Sequence, residues 1–371
     1  MVKALLAGLV AVILGIAGCA RRDVEAGLLL ADIAAGTGDS LLKRTTPAPT
    51  RTPIAFAIDG RTRMGDLYRP GQTEAGALVL VPGAAREGRD DPRLVAFATA
   101  LARVRFVVLV PDIPSLRAEE AGAEDRLPIL DAARWLALEH GDGAIGIGAV
   151  SFAVGPAVLA ALQDPRVDMV IGIGGYYDLT QLATYFTTGC LHGRPGGPWE
   201  YRKPNPYGKW VFVKSIARRL DDAGDRALLA AIVERKLADA AAPVGDLAAG
   251  LGPEGRRVMA LLDNRDPDRV PALIAALPPP IRARMAALDL SRRDLSGLHA
   301  RLFLIHGRND RIIPWTQSAE LAQAAPSAEL ALPDNLAHAN LKAGSPDDAY
   351  VLWRIIADIL AERDRLANRR H

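Results

Sequence analysis

Ser151, Asp310 and His338 are among the residues of this chain whose types and settings could serve nucleophilic chemistry. Ser151 lies in Gly148-Ala149-Val150-Ser151-Phe152-Ala153-Val154-Gly155, where an apolar stretch of strand character passes directly into one of helical spacing. Ala149 and Ala153 stand two before and two after it, and small side chains there are what a tight turn needs to lift a hydroxyl clear of the chain. Asp310 lies in Leu302-Phe303-Leu304-Ile305-His306-Gly307-Arg308-Asn309-Asp310-Arg311-Ile312-Ile313-Pro314, after an apolar run and a loop that holds Gly307. Of the six histidines, His140 ends a helical stretch, His192 sits in a long irregular region, His299 precedes an apolar run, His306 ends one and His371 is terminal. His338 falls between the last apolar run and the last helical stretch. A hydroxyl, an imidazole and a carboxylate are together the parts of an activated nucleophile. Each residue also has a plainer reading: Ser151 as a helix cap, Asp310 as a turn residue or cap, His338 as a structural loop side chain. Asp178, in Gly174-Gly175-Tyr176-Tyr177-Asp178-Leu179, is a second carboxylate that follows an apolar run. Cys190, between Thr187-Thr188-Gly189 and Leu191-His192, sits in a loop rather than at a helix N-terminus and reads as a spectator thiol.

The elements that must place these groups alternate. Strands are expected over Ala77–Val81, Phe106–Val110, Ala144–Val150, Val167–Ile173, Arg301–Ile305 and Ala328–Leu332. Helices are expected over Pro92–Arg103, Asp125–Glu139, Phe152–Gln163, Thr316–Ala324 and Asp347–Leu366. Short continuous apolar runs of this kind belong to parallel strands covered on both faces. Ahead of them Ile54–Ile58, the turn Asp59-Gly60 and Arg61–Tyr68 read as a β-hairpin. The alternation stops between Leu179 and Gly297, a stretch too long for a loop in a compact domain and helical in its second half, as in Arg226-Ala227-Leu228-Leu229-Ala230-Ala231-Ile232-Val233-Glu234-Arg235. A largely helical insertion is expected there.

The strand-Ser151-helix junction, the His306-Gly307-Arg308-Asn309-Asp310 turn with Pro314 beyond it, and the place of His338 resemble the α/β-hydrolase superfamily. The resemblance covers about Ile54 to Leu366 apart from the insertion, and Ala149 and Ala153 occupy the two glycine places of the family's Gly-x-Ser-x-Gly elbow. It implies a mostly parallel central sheet with helices on both faces, and Ser151, Asp310 and His338 as nucleophile, acid and general base, in the family's chain order. It also implies an oxyanion hole made by the backbone amides of Phe152 and of Ala84, the latter in Val81-Pro82-Gly83-Ala84-Ala85, where the family commonly has His-Gly. Some members take the acid from the position of Asp178, which is the rival here. The insertion would lie over the site as a cap. Its Phe186, Trp199, Tyr201, Tyr207, Trp210 and Phe212 suit either an apolar or amphiphilic acyl substrate or the packing of cap on core. The implied activity is hydrolysis of a carboxylic ester, or of a thioester or amide, through an acyl-enzyme. The alternative is a catalytically silent hydrolase-fold lipoprotein that binds an envelope lipid or a partner protein.

Lys3, the apolar stretch Ala4 to Ala17, and Ile16-Ala17-Gly18-Cys19 read as an export signal too short for a comfortable membrane span. The small pair before Cys19 resembles the bacterial lipobox, which implies acylation of Cys19, removal of residues 1–18 and a lipid-anchored, periplasm-facing protein. By that motif's sorting rule, Ala20 in place of Asp points to the outer membrane. Residues 19–53 are then a tether, with a short apolar helix over Val24 to Ala35 and a proline- and threonine-rich stretch from Lys43 to Pro53. Residues 54–178 and 298–371 are the expected hydrolase core, and 179–297 the cap. The 371 residues, 50% of them hydrophobic, suffice for one large core with an insertion. Lys and Arg number 45 against 43 Asp and Glu, aromatics make up only 5%, and no basic run is dense enough to track a phosphate backbone. A nucleic-acid partner is therefore not expected. Nor is a metal or nucleotide cofactor, since no His, Cys or carboxylate cluster has ligand spacing and no glycine loop precedes a Lys-Ser/Thr pair.

Overall fold

The computed structural model describes residues 21–368 apart from 142, 195, 337 and 339–342; Cys19 and the export signal lie outside the described residues. The strands are β1 (Thr50–Ile58), β2 (Arg61–Arg69), β3 (Gly76–Val81), β4 (Phe106–Pro111), β5 (Ile145–Val150), β6 (Val167–Ile173), β7 (Cys190–His192), β8 (Trp199–Tyr201), β9 (Arg301–Ile305) and β10 (Ala328–Ala331). Eight of them form one sheet in the order β1-β2-β4-β3-β5-β6-β9-β10, and β7 and β8 form a separate ribbon. β1 and β2 pair antiparallel about Asp59 and Gly60, both left-handed with φ of 49° and 74°, the backbone that a two-residue hairpin turn requires. β2 pairs antiparallel with β4, and every further pairing of the large sheet is parallel.

Alternate residues of the central strands feed two cores. Val79, Val81, Val107 and Leu109 pack with helices Arg126–Glu139 and Val154–Ala161. Leu78, Leu80, Val108 and Val110 pack with helices Pro92–Arg103 and Pro346–Asn368 on the other face. A sheet covered on both sides explains why its strands read as unbroken apolar runs. Between β6 and β9 lie helices Leu179–Thr188, Pro206–Ala217, Ala223–Ala238, Pro253–Leu262 and Pro279–Leu288, with the β7-β8 ribbon. Their buried side chains, among them Leu182, Val211, Leu229 and Leu261, join the first core, so the insertion packs continuously with the body.

The short apolar helix expected within residues 19–53 forms, and it is docked on the body. Residues 21–35 form a helix lying on the second core, where Ala26 and Leu29 are buried. The guanidinium of Arg363 grips the Glu25 carboxylate with both Nη atoms, at 2.9 and 3.0 Å, and the Trp353 indole N–H donates to the Asp23 carbonyl at 2.8 Å. A short helix, Leu41–Thr45, follows, and β1 begins at Thr50 rather than near Ile54. The apolar face of the first helix gains burial by docking, and Arg103 ties the stretch after it by donating to the Thr46 carbonyl at 3.0 Å. Among the described residues no helix is long and apolar enough to cross a membrane.

Candidate active site

Ser151 follows the last residue of β5 with φ of 58°, in the left-handed region, and opens a 3-10 turn, Ser151–Ala153, that leads into helix Val154–Ala161. A non-glycine residue there costs on the order of 1–2 kcal/mol. The packing around it holds the strain, since Ala149 and Ala153 are fully buried. The result is a sharp strand-to-helix turn that presents the hydroxyl at the carboxyl end of the parallel sheet. The β3 loop passes against it: a Cβ added to Gly83 would lie 3.5 Å from the Ser151 Cβ.

Two hydrogen bonds join the three side chains. His338 Nε2 lies 2.8 Å from Ser151 Oγ, and His338 Nδ1 lies 2.6 Å from Asp310 Oδ2. Asp310 is buried, and its Oδ1 accepts from the backbone N–H groups of Ile312 at 2.7 Å and Ile313 at 3.1 Å. Burial alone would raise its pKa, but hydrogen bonds from His306 and His338 and their positive potential hold it well below the usual carboxylate range. An ionised carboxylate only accepts, so His338 carries its proton on Nδ1, and Nε2 is left to accept the Ser151 O–H. This is the protonation pattern in which an imidazole can act as base toward a serine.

Sequence reasoning placed His306 at the end of an apolar run and missed its contact with Asp310. Its Nε2 sits 2.9 Å from the Ile313 carbonyl and 3.3 Å from Asp310 Oδ2, while Nδ1 lies 2.7 Å from Ser318 Oγ. A carbonyl only accepts, so Nε2 carries the proton and Nδ1 accepts the Ser318 O–H. Two glycines make the approach possible, Gly307 of the turn already singled out and Gly174, which sequence reasoning did not single out. Gly174, left-handed with φ of 63°, lets β6 end beneath the imidazole: a Cβ there would lie 3.4 Å from His338 Cε1. At Gly307 an added Cβ would collide with the Leu336 carbonyl oxygen, so the loops carrying Asp310 and His338 touch only because residue 307 has no side chain. Asp178, the rival acid, accepts from the N–H groups of Thr180 at 2.7 Å and Gln181 at 3.0 Å as the cap of helix Leu179–Thr188. Cys190 is half-buried in β7, opposite Tyr201. Among the described residues no group of three or more His, Cys, Asp or Glu is placed to hold a metal ion.

No protein-family model matches the chain, and no curated protein does. Solved structures do resemble it. A protein from Legionella pneumophila provisionally described as a hydrolase superimposes with a TM-score of 0.52 at 13% identity, over 87% of this chain and 93% of that one. The acylaminoacyl peptidase of Pyrococcus horikoshii gives 0.50 at 12% identity, over 87% of this chain but only 43% of the peptidase, so the chain spans less than half of that enzyme's length. The chain has the α/β-hydrolase fold.

In this hydrolase fold Ser151 follows β5, Asp310 follows β9 and His338 follows β10, so all three stand at the carboxyl ends of parallel strands, where open α/β sheets place their sites. Ser151 and His338 open into a cavity of about 810 Å³ that is also lined by Pro82, Gly83, Ala84 and Ala85 of the β3 loop, by Tyr207 of the insertion and by Ile312. The Tyr207 hydroxyl lies 3.4 Å from the Ala84 carbonyl and 3.4 Å from Glu119 Oε1. Burial, then the Glu119 charge, push its pKa up to about 12, so it stays a neutral donor. Phe152 is buried beside Ser151, its ring 6.1 Å from that of Tyr176.

Proposed function

We propose that this protein is a serine hydrolase that cleaves a carboxylic ester, or a thioester or amide, through an acyl-enzyme. The reading rests on one observation, the hydrogen-bonded line from Asp310 through His338 to the Ser151 hydroxyl at the edge of the cavity. His338 Nε2 takes the hydroxyl proton as Ser151 Oγ adds to the substrate carbonyl, and Asp310 stabilises the imidazolium that forms. The carbonyl oxygen becomes an oxyanion, received by the backbone N–H groups of Phe152 and Ala84. Removing one such donor costs on the order of 3 kcal/mol in the transition state. Ala84 keeps its amide although Pro82 precedes it by two, since only proline itself lacks the donor. Collapse of the intermediate expels the alcohol, amine or thiol with the proton from His338, and water then repeats the sequence to release the acid.

Two further parts belong to this proposal. The segment between β6 and β9 acts as a cap, with Tyr207 reaching the cavity and Lys214 pairing with Glu119 at 2.8 Å to hold the helix that carries it. Acylation of Cys19 anchors the protein in the bacterial envelope, facing the periplasm. The test of the chemistry is a fluorophosphonate probe on the wild type beside Ser151→Ala. Labelling is expected in the wild type and absent in the variant, and a folded but unlabelled wild type would instead favour a silent binding protein. The test of the anchor is fractionation: Cys19→Ala is expected to move the protein from the membrane fraction to the soluble one.

A further inference from the structure

The cavity at Ser151 has a wall that belongs neither to the parallel sheet nor to the insertion. Ile33, Ala34, Ala35, Gly36 and Thr37, the end of the N-terminal helix and the turn after it, line the same cavity as Ser151 and His338. We infer that this N-terminal wall sets the length of the acyl group the site accepts, and that the acyl group is an extended aliphatic chain. The inference rests on the serine-hydrolase reading and deepens it.

The chemistry of the wall selects the chain. Ile33, Ala34 and Ala35 face the cavity beside Leu94 and Phe97 of helix Pro92–Arg103, an apolar lining that rewards methylene groups. The charged residues nearby are matched within the protein: Arg93 Nη2 meets Asp91 Oδ2 at 2.6 Å, so this pair offers no free charge to a polar acid. The wall is also held in place. Gly36 ends the helix in the left-handed conformation, φ 58°, with its N–H on the Asp32 carbonyl at 3.0 Å. Lys43 Nζ donates to the Gly36 carbonyl at 2.8 Å and pairs with buried Asp32 at 2.7 Å, and the Ser40 hydroxyl donates to Asp32 as well. Asp32 thus joins the last helical turn to the short helix after it. A wall pinned at both sides keeps its place in the cavity that holds Ser151, so methylenes that fit between serine and wall add burial and the next one does not.

The experiment compares ethyl and dodecyl fluorophosphonates, and chain lengths between them, as labels of Ser151 in the full chain. In the wild type the labelling rate is expected to rise about fourfold per methylene, the rate equivalent of burying one CH₂, up to a definite break. Ala35→Phe brings the wall inward: the break moves to a shorter chain, and the dodecyl-to-ethyl ratio falls by about tenfold or more, equivalent to two lost methylenes. Ile33→Ala moves the break to a longer chain, and this variant carries the test if Ala35→Phe does not fold. Ratios within about twofold of wild type in both folded variants, with the ethyl probe still labelling Ser151, would overturn the wall while leaving the hydrolase reading intact. If no probe labels the folded wild type, the hydrolase reading fails first and the inference with it.

Discussion

Asp310→Asn isolates the tautomer argument from shape, because the geometry dictates which way an asparagine must face. The Oδ1 position accepts from two backbone N–H groups, Ile312 at 2.7 Å and Ile313 at 3.1 Å. An amide turned to present NH₂ there would set donor against donor twice, so its oxygen takes that place and its NH₂ replaces Oδ2. The NH₂ then faces His338 Nδ1, 2.6 Å away, and His306 Nε2, 3.3 Å away. To accept from it, His338 must give up its Nδ1 proton and carry one on Nε2, where it no longer accepts from Ser151. Only the small population of the opposite tautomer reacts. A change of this kind in a Ser-His-Asp triad lowers kcat by about 10⁴, or about 5 kcal/mol in the barrier. The assay is turnover of a chromogenic ester at saturation, with fluorophosphonate labelling rate and circular dichroism on the same samples. The matched control is Asp178→Asn, which keeps an acceptor oxygen at a helix cap of about equal strength and changes kcat by no more than about twofold. A folded Asp310→Asn variant within about tenfold of wild type, or equal losses in the two variants, would refute the assignment.

Three further outcomes are expected. Gly307→Ala forces a Cβ into the Leu336 carbonyl and parts the Asp310 and His338 loops, so kcat falls more than about a hundredfold while the sheet survives with a loss of about 1–3 kcal/mol; unfolding curves and ester turnover on one preparation check it. Glu320, nearly buried and next to the Asp178 charge, is held up to about 6 from an ordinary 4.5, so the folded state binds its proton more tightly than the unfolded one and stability falls as pH rises through that window. Glu320→Gln is therefore expected to stabilise the protein by up to about 2 kcal/mol at pH 8 and to make no difference below about pH 4, as read by urea unfolding at both; equal effects at the two would sink the argument. Glu25→Ala leaves the buried Arg363 guanidinium without its bidentate partner, and a loss of about 2–3 kcal/mol with faster amide exchange over residues 21–35 is expected.

Much of the sheet was readable because its strands are short apolar runs separated by helices of good periodicity. Val167–Ile173 and Arg301–Ile305 fall where the pattern puts them, and the Asp59-Gly60 turn forms the hairpin it announces. Strand order was not readable from those runs, since nothing local says that β4 lies between β2 and β3. The docking of residues 21–35 was hidden for a related reason. A short apolar helix before a proline-rich stretch looks the same whether its face meets solvent or the helix Pro346–Asn368, and the partner that decides, Arg363, is 338 positions from Glu25. At the site, the resemblance to α/β-hydrolases pointed to Ser151, Asp310 and His338, which the structure brings within hydrogen-bond reach: His338 lies between Ser151 and Asp310. His306 escaped because a histidine at a strand end carries no sign of what its ring will touch. The signal for Gly307 and Gly174 was present in the sequence, one glycine directly after the apolar run that ends at Ile173 and one after Ile305-His306, but its meaning depends on loops that meet only in the fold.

Ala149 and Ala153 show how a tight turn at Ser151 forms without glycine two before and two after it. Glycine at those two places would serve close approach, and here the room comes from neighbours instead. Ala149 is paired across the sheet with Gly172 of β6, so the methyl group at 149 faces a strand position that has none. A Cβ at Gly172 would press on Leu304 at 2.9 Å and Val154 at 3.1 Å, which shows how fully that space is used. On the helix side, Gly175 lies so near Val154 that an added Cβ would come within 2.6 Å of its Cγ1, and Gly155 leaves the space that the Tyr176 hydroxyl fills. Glycines at 155, 172 and 175 therefore let the helix after Ser151 sit close against β6 while 149 and 153 carry methyl groups. The positive φ at Ser151 fits this account: the strained conformation sits between fully buried Ala149 and Ala153, where close packing can hold it.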